Sequence, residues 1–190
     1  MAVAGCCRDN APMDADTVVA DTRRWLDRAV IGLNLCPFAK AVVVKDQVRF
    51  VVSEATTPEA LAAQLLVELR RLADADPELL DTTLLIHPQM LQNFDDFNDF
   101  LDVAEAVLDD AGLEGELQVA SFHPDFTFAD SEPDDVADCS NRAPYPTLHL
   151  LREASIERAV ASFPDAADIY QRNIDALRAL GWDGWRALWT

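Results

Sequence analysis

The chain is poor in glycine and lacks several sequence signatures of well-known enzyme classes. Its 190 residues include only 6 glycines, and no glycine-rich phosphate loop, GxSxG nucleophile elbow or HExxH zinc motif occurs. The four cysteines, Cys6, Cys7, Cys36 and Cys139, never stand in CxxC spacing. These absences argue against a nucleotide-driven enzyme and against a paired-cysteine zinc site.

Long apolar segments and an export signal are also missing. No apolar run reaches the roughly 18 residues of a membrane-spanning helix. Residues 1–15 lack the basic start and apolar stretch of a signal peptide, so we expect a cytoplasmic protein with reduced thiols. A Cys36–Cys139 disulfide is the alternative. We predict a disordered leader over residues 1–15, with Met13 as an alternative start, and a single α/β domain over residues 16–190.

Positive charge is scarce. The sequence has 15 lysines and arginines against 34 aspartates and glutamates, which gives a formal net charge of −19. A surface of this sign repels phosphate backbones, so we expect no nucleic-acid partner, and the absence of an apolar span predicts no membrane partner. Much of the excess lies in residues 95–110 and 125–138, where solubility is the simplest explanation. The oligomeric state is left open.

What the sequence does contain is an alternation of helix and strand patterns. The first helix is predicted to begin at Asp16 or Thr17 and to end before Pro37, because proline has no amide hydrogen. The predicted strands are 41–44 and 48–53 (one long strand or a hairpin), 82–86, 116–122 and 148–151. The predicted helix starts are Thr57-Pro58, Asn93, Ser155 and Pro164, and the predicted helix ends are Gly112 and Gly181. This order predicts an α/β (or α+β) fold, with helices packed on a mixed, partly parallel sheet of four to five strands.

The three histidines of the chain all fall at or near predicted strand ends. His87 and His123 each end a strand and are each followed by proline, and right-handed crossovers would make these two strands parallel neighbours or near-neighbours. Both imidazoles would then lie at the carboxyl edge of the sheet, where ligands bind in open α/β sheets. His149 lies in the strand after the long loop. A shared histidine site is one interpretation, and three separate structural histidines are the other.

Arg142 and Tyr145 stand in a proline-rich turn, Asn141-Arg142-Ala143-Pro144-Tyr145-Pro146. The planar guanidinium of Arg142 suits a carboxylate or phosphate ligand, but it could equally pair with an acid of the preceding loop, Asp125, Asp134 or Asp138. Arg152 admits the same two interpretations. Tyr145 is a candidate catalytic residue because the two prolines hold its backbone in place.

Cys36 is the other candidate for chemistry. Beside a histidine it could act as a thiolate nucleophile or as a soft metal ligand. The sequence Cys36-Pro37-Phe38-Ala39 differs from a glutaredoxin motif, because Ala39 replaces the second cysteine and the motif ends a helix instead of starting one. A buried, inert cysteine is the alternative.

Several segments together carry a resemblance to a family. They are Gly32-Leu33-Asn34-Leu35-Cys36-Pro37-Phe38-Ala39, His87-Pro88 followed by Phe94-Asp95-Asp96-Phe97-Asn98, Ala120-Ser121-Phe122-His123-Pro124, and Asn141-Arg142-Ala143-Pro144-Tyr145-Pro146-Thr147-Leu148-His149-Leu150-Leu151-Arg152-Glu153. The chain resembles the bacterial domain-of-unknown-function family 1415 over about residues 16–185. The resemblance implies a single cytoplasmic domain and carries no established activity.

Three hypotheses follow from these residues. In the first, the chain is an enzyme in which His87, His123 and His149 bind zinc or iron, with Cys36 or Asp125 as a further ligand. Arg142, Arg152 and Tyr145 would then orient a small anionic substrate. In the second, the enzyme is metal-free, Cys36 is a nucleophile with a histidine base, and Arg142 anchors the substrate. In the third, the protein is a non-enzymatic acidic adaptor or assembly protein with structural histidines.

Overall fold

Six α-helices and one four-stranded sheet form the regular part of the chain in this computed structural model, which describes residues 14–162 and 168–190. The helices are α1 (Ala15–Trp25), α2 (Ala39–Val44), α3 (Pro58–Asp74), α4 (Phe94–Asp110), α5 (Glu153–Ala161) and α6 (Ile169–Ala187). The strands are β1 (Val48–Val52), β2 (Thr82–Ile86), β3 (Leu117–Phe122) and β4 (Thr147–Arg152). A π-helical segment (Leu26–Ile31) continues α1, and a 3-10 helix (Val136–Ser140) lies in the loop before β4.

The sheet is mixed, as the sequence predicted, and its strand order is β1-β2-β4-β3. β1 and β2 are parallel, and β4 pairs antiparallel with both β2 and β3. Because β2 and β3 both run antiparallel to β4, they are parallel to each other with one strand between them. The expectation that the strands ending at His87 and His123 are parallel near-neighbours is therefore confirmed.

The two faces of the sheet bury different clusters of side chains. Leu85, Leu148 and Leu150 pack with the apolar stripes of α3 and α4. Leu84 and Ile86 face the other way, toward α1, the π-helical segment and α6. This division follows from the period of two in a β-strand, which sends successive side chains to opposite faces. We call the face that packs against α3 and α4 the α3–α4 face, and the opposite face the α1 face.

Three predicted helix boundaries are confirmed at the helix ends. The Thr57 hydroxyl accepts from the amide of Ala60, and Pro58 is the first residue of α3. The Asn93 side chain accepts from the amides of Asp95 and Asp96 at the start of α4. Gly112, just beyond α4, has φ +69°, a left-handed conformation that glycine adopts without steric cost.

Four local predictions are wrong, and one lies outside the described residues. The first helix begins at Ala15 and is capped by Asp14, whose side chain accepts from the amide of Asp16, instead of beginning at Asp16 or Thr17. Residues 41–44 belong to helix α2 instead of a strand, because an apolar run this short has no period that separates helix from strand. Ser155 does not cap α5, which begins at Glu153; the Ser155 hydroxyl donates to Asp81 instead. The predicted helix start at Pro164 lies outside the described residues. Gly181, with φ +67°, kinks α6 but the helix continues to Ala187.

No helix in residues 14–162 or 168–190 combines the length and apolar character needed to cross a membrane.

Arg152 joins the end of β4 to the end of α3. Its Nη2 donates to the carbonyls of Leu72, Ala75 and Leu80, and its Nε donates to Leu80 as well. Helix C-termini leave carbonyls without intrahelical partners, and a buried guanidinium satisfies several of them at once. Arg152 is only 7% exposed, so its principal role in this fold is structural.

Replacing Arg152 with methionine should therefore destabilise the fold. Several buried carbonyls would lose a charged donor, and we expect the free energy of unfolding to fall by about 2–4 kcal/mol in urea denaturation. The matched control is Arg70→Met, on the exposed side of α3, which should change stability by no more than about 0.5 kcal/mol. Equal effects of the two changes would contradict the structural role of Arg152.

Candidate functional site

His87 and His123 lie on the α3–α4 side of the carboxyl edge, on either side of Phe97. The ring centroids of His87 and Phe97 are 5.8 Å apart, and those of Phe97 and His123 are 5.0 Å apart. Both histidines are completely buried. The carboxyl edge thus brings these two histidines together, as their strand positions indicated.

Backbone groups are hydrogen-bonded to three of the four ring nitrogens of His87 and His123. His87 Nδ1 lies 3.2 Å from the carbonyl of Met90, and His123 Nε2 lies 3.1 Å from the carbonyl of Leu91. His123 Nδ1 accepts from the amide of Asp125 at 3.0 Å. His87 Nε2 is buried with no hydrogen-bond partner among the described residues. The pair therefore anchors the loop at residues 90–91 and leaves one nitrogen for any ligand.

Burial keeps both rings neutral. It lowers the pKa of His87 from 6.5 to about 4, an effect partly opposed by the Met90 carbonyl and reinforced by the nearby His123. Burial likewise lowers the pKa of His123, against the opposing effects of the Leu91 carbonyl and the Asp125 charge. In both rings the penalty that desolvation places on the charged imidazolium outweighs the opposing interactions.

His149 lies on the opposite face of the sheet. On β4 it is flanked by Leu148 and Leu150, which enter the α3–α4 core, so strand alternation sends its ring to the α1 face. The three histidines therefore do not converge on one site. Within residues 14–162 and 168–190, no three or more His, Cys, Asp or Glu side chains are arranged to hold a metal ion. The three-histidine zinc or iron site is not formed.

The α1 face instead contains a cavity of about 320 Å³, between the sheet, the π-helical segment, α2 and α5. Ligand pockets for small molecules usually begin at about this size. Its wall is mostly apolar and includes Trp25, Leu26, Val30, Phe38, Val42, Leu84, Ala120, Phe122, Leu151 and Ile156. Cys36 and His149 also line it. Two candidate residues that are 113 positions apart in the sequence thus share one cavity.

Cys36 reaches the cavity because the chain turns between the π-helical segment and α2. The amides of Leu35 and Cys36 both bond the carbonyl of Val30, which closes the helix end. Asn173 of α6 donates to the carbonyl of Leu35 and holds this turn against the domain. Cys36 is partly accessible and free, and Cys139 is also free, so the reduced-thiol expectation holds for these two residues.

His149 is held by one hydrogen bond to a buried hydroxyl. Its Nε2 lies 2.7 Å from Thr82 Oγ1 on the neighbouring strand. Burial lowers the pKa of His149 to about 4, so the ring is neutral near neutral pH. His149 is half-buried and lines the cavity.

The other predicted site residues are used elsewhere in the fold. Arg142 donates to the carbonyl of Phe126, and its Nη2 lies 3.8 Å from Asp138, one of the three acids expected as alternative partners. Tyr145 is buried and donates to Asp21 of α1 at 2.9 Å. Neither residue lines the cavity. Arg152 does border the cavity, but its hydrogen bonds run to the end of α3.

Sequence patterns missed Thr82 and the residues of the π-helical segment. Thr82 occupies the first position of a buried strand, where a threonine is ordinary, and its contact with His149 spans 67 positions. Leu26 and Val30 continue the apolar spacing of α1, so nothing in the sequence distinguishes the wider π-helical turn. To place Thr82 beside His149 from the sequence, one would have to know the pairing register of β2 and β4.

The comparison with protein-family models agrees with the resemblance seen in the sequence. The model of DUF1415, described as a protein of unknown function, matches residues 17–187. The chain belongs to this family. No curated protein matches the DUF1415 chain, and no solved structure matches it. The match thus covers nearly all of the chain, and the site must be interpreted from its own geometry.

Acid should destabilise this DUF1415 domain through its neutral histidines. His87 has a folded pKa of about 4 against 6.5 when unfolded. The stability that depends on neutral His87 is therefore present above pH 6.5 and is lost as the pH falls toward 4. Between about pH 7 and pH 5 this loss amounts to about 2 kcal/mol for His87, and His149 adds a similar loss.

His87→Asn tests the contribution of His87, because the asparagine amide can still donate to the Met90 carbonyl but does not titrate. Urea denaturation at several pH values should show a shallower fall in stability for the variant, by about 2 kcal/mol across the same interval. An unchanged slope would mean that His87 is not the buried neutral group described here.

Proposed function

We propose that this domain binds a small, mostly apolar molecule in the cavity of the α1 face. The observation that carries the proposal is a cavity of about 320 Å³ with an apolar wall, bordered by two chemically active side chains, Cys36 and His149. An apolar ligand of matching shape would displace water from this apolar wall and gain both contact and burial.

The local backbone supports the same proposal. Leu26 and Val30 of the π-helical segment contribute to the wall, and π-helical turns occur frequently at functional sites. Trp25 packs edge-on against Phe122 at 5.1 Å, so a rigid aromatic pair forms part of the wall. Rigid walls reduce the entropy cost of binding, because few side chains need to be ordered.

The lining also favours an apolar ligand over the small anion expected from the sequence. Arg142 lies outside the cavity, and Arg152 donates to carbonyls at the end of α3. A carboxylate or phosphate placed among these apolar side chains would lose its hydration with little compensation. We therefore propose an apolar body for the ligand.

Binding is tested by isothermal titration calorimetry with 2-naphthol, an apolar bicyclic probe. Ala120 lines the cavity directly opposite His149 in the strand register, so Ala120→Phe should fill the cavity and weaken binding at least about tenfold. The matched control is Ala106→Phe, on the exposed side of α4, which should bind as the wild type does. Circular dichroism checks that both variants fold.

Two results would contradict the proposal. One is the absence of any binding of 2-naphthol to the wild type. The other is equal binding by the wild type and a folded Ala120→Phe variant. Either result would favour the adaptor hypothesis, in which the histidines are structural.

A second candidate function is a metal-free cysteine enzyme. The observation in its favour is that Cys36 and His149 line the same cavity. Cys36 Sγ would attack an acyl carbon to form a thioester, and its proton would pass through His149 to the departing oxygen or nitrogen; water would then hydrolyse the thioester. His149 has a pKa of about 4 and is therefore a weak base. We expect it to take up the proton of Cys36 only when a substrate is bound.

Alkylation by iodoacetamide near neutral pH tests this second candidate. In a chain with Cys6→Ser and Cys7→Ser, Cys36 should be modified selectively, because burial raises the pKa of Cys139 to about 12. We expect 2-naphthol to slow the modification of Cys36 and His149→Phe to slow it as well, both measured by peptide mass spectrometry. Slow modification that neither change affects would exclude a reactive cysteine in this cavity.

A further inference from the structure

The hydroxyl of Thr82 determines which nitrogen of His149 carries the proton. Thr82 Oγ1 lies 2.7 Å from the carbonyl oxygen of Leu150 and 2.7 Å from His149 Nε2. A carbonyl only accepts, and a hydroxyl has a single proton, so Thr82 donates to Leu150. Thr82 Oγ1 must then accept from His149, and Nε2 is the protonated nitrogen.

The other nitrogen of His149 is therefore an acceptor. A neutral imidazole carries one N–H, so Nδ1 has a free lone pair. Nδ1 has no hydrogen-bond partner among the described residues. His149 is half-buried and lines the cavity, and its Nε2 is already bound to Thr82, so Nδ1 is the nitrogen left for the cavity. The lone pair is available to a molecule in the cavity.

We propose that the cavity selects apolar molecules that carry one hydrogen-bond donor, such as an alcohol or a phenol, and that His149 Nδ1 accepts this bond. The inference rests on the proposed function, because it describes how the same cavity distinguishes its ligands. Thr82 acts as a positioning residue, since it holds the tautomer that presents the acceptor.

The physical basis of selection is the cost of an unpaired polar group. A ligand with a hydroxyl satisfies Nδ1, whereas a hydrocarbon that displaces water from Nδ1 leaves it unpaired. An ether or ketone brings only another acceptor, and an anion meets a lone pair instead of a donor. Gln118, at the end of the cavity nearer Leu151, offers both donors and an acceptor and therefore discriminates less.

Three bicyclic probes separate these effects in calorimetry: naphthalene, 2-naphthol and 2-methoxynaphthalene. All share the same apolar body, and only 2-naphthol has a donor. The wild type should bind 2-naphthol about tenfold more tightly than the other two. His149→Phe keeps an aromatic ring but removes the acceptor, so it should bind all three with affinities within about threefold of one another.

The outcomes distinguish this inference from the proposed function. If the wild type binds all three probes equally well, the donor selection is wrong and the cavity proposal stands. If none of the probes binds, the proposed function itself fails. If His149→Phe keeps the preference for 2-naphthol, a group other than His149 accepts the hydrogen bond from its hydroxyl, and the inference is overturned.

The role of Thr82 has its own measurement. Long-range ¹H–¹⁵N correlation spectra report which imidazole nitrogen is protonated, and the wild type should show the Nε2–H form of His149. Thr82→Val removes the acceptor of that N–H with little change in shape, so we expect a mixture of tautomers and a reduced preference for 2-naphthol. A wild-type spectrum with Nδ1 protonated would overturn the inference directly.

Discussion

The pairing of β4 with two strands that both run antiparallel to it is the constraint on which the rest of the architecture depends. Because β2 and β3 both pair antiparallel with β4, they run in the same direction, and their histidine ends reach one edge of the sheet. Because β4 is central, its alternation also divides the interior. Leu148 and Leu150 enter the core beneath α3 and α4, and His149 enters the opposite side.

This division places the histidines in two different environments, but in both the pKa of the ring is lowered. His87 and His123 lie beside Phe97 and bond the carbonyls of the following loop. His149 lies against a strand and bonds a hydroxyl. Desolvation lowers the pKa in all three cases, and His149 is the one of the three that lines the cavity of about 320 Å³ among the described residues.

Several arginines of this acidic chain connect different elements of the fold. Arg49 joins β1 to Glu68 of α3, and Arg178 of α6 pairs with Asp135 in the loop before β4. Arg142 approaches Asp138 in the same loop. With few cations available against so many acids, a cation that the fold uses for such a connection is no longer free to recognise an anionic ligand.

The sequence alone determined the local elements with strong signals. Thr57 and Asn93 start helices because their side chains satisfy free amides, and β2, β3 and β4 appear as short apolar or β-branched runs. Each of these signals involves residues only a few positions apart, so it can be recognised in the sequence alone. Residues 41–44 were misassigned because a short apolar run lacks the period that separates a helix from a strand. The family resemblance and the meeting of His87 and His123 were likewise within reach of the sequence.

The composition of the candidate site was decided only by tertiary structure. Whether His149 joins the other histidines depends on the face of β4 that packs against α3 and α4, and helix packing settles that choice. The partners of Tyr145 and Arg152 lie on other elements, up to 124 positions away. Contacts at such separations come from register and packing, which leave no local pattern in the chain. The shared cavity of Cys36 and His149 exists for the same reason.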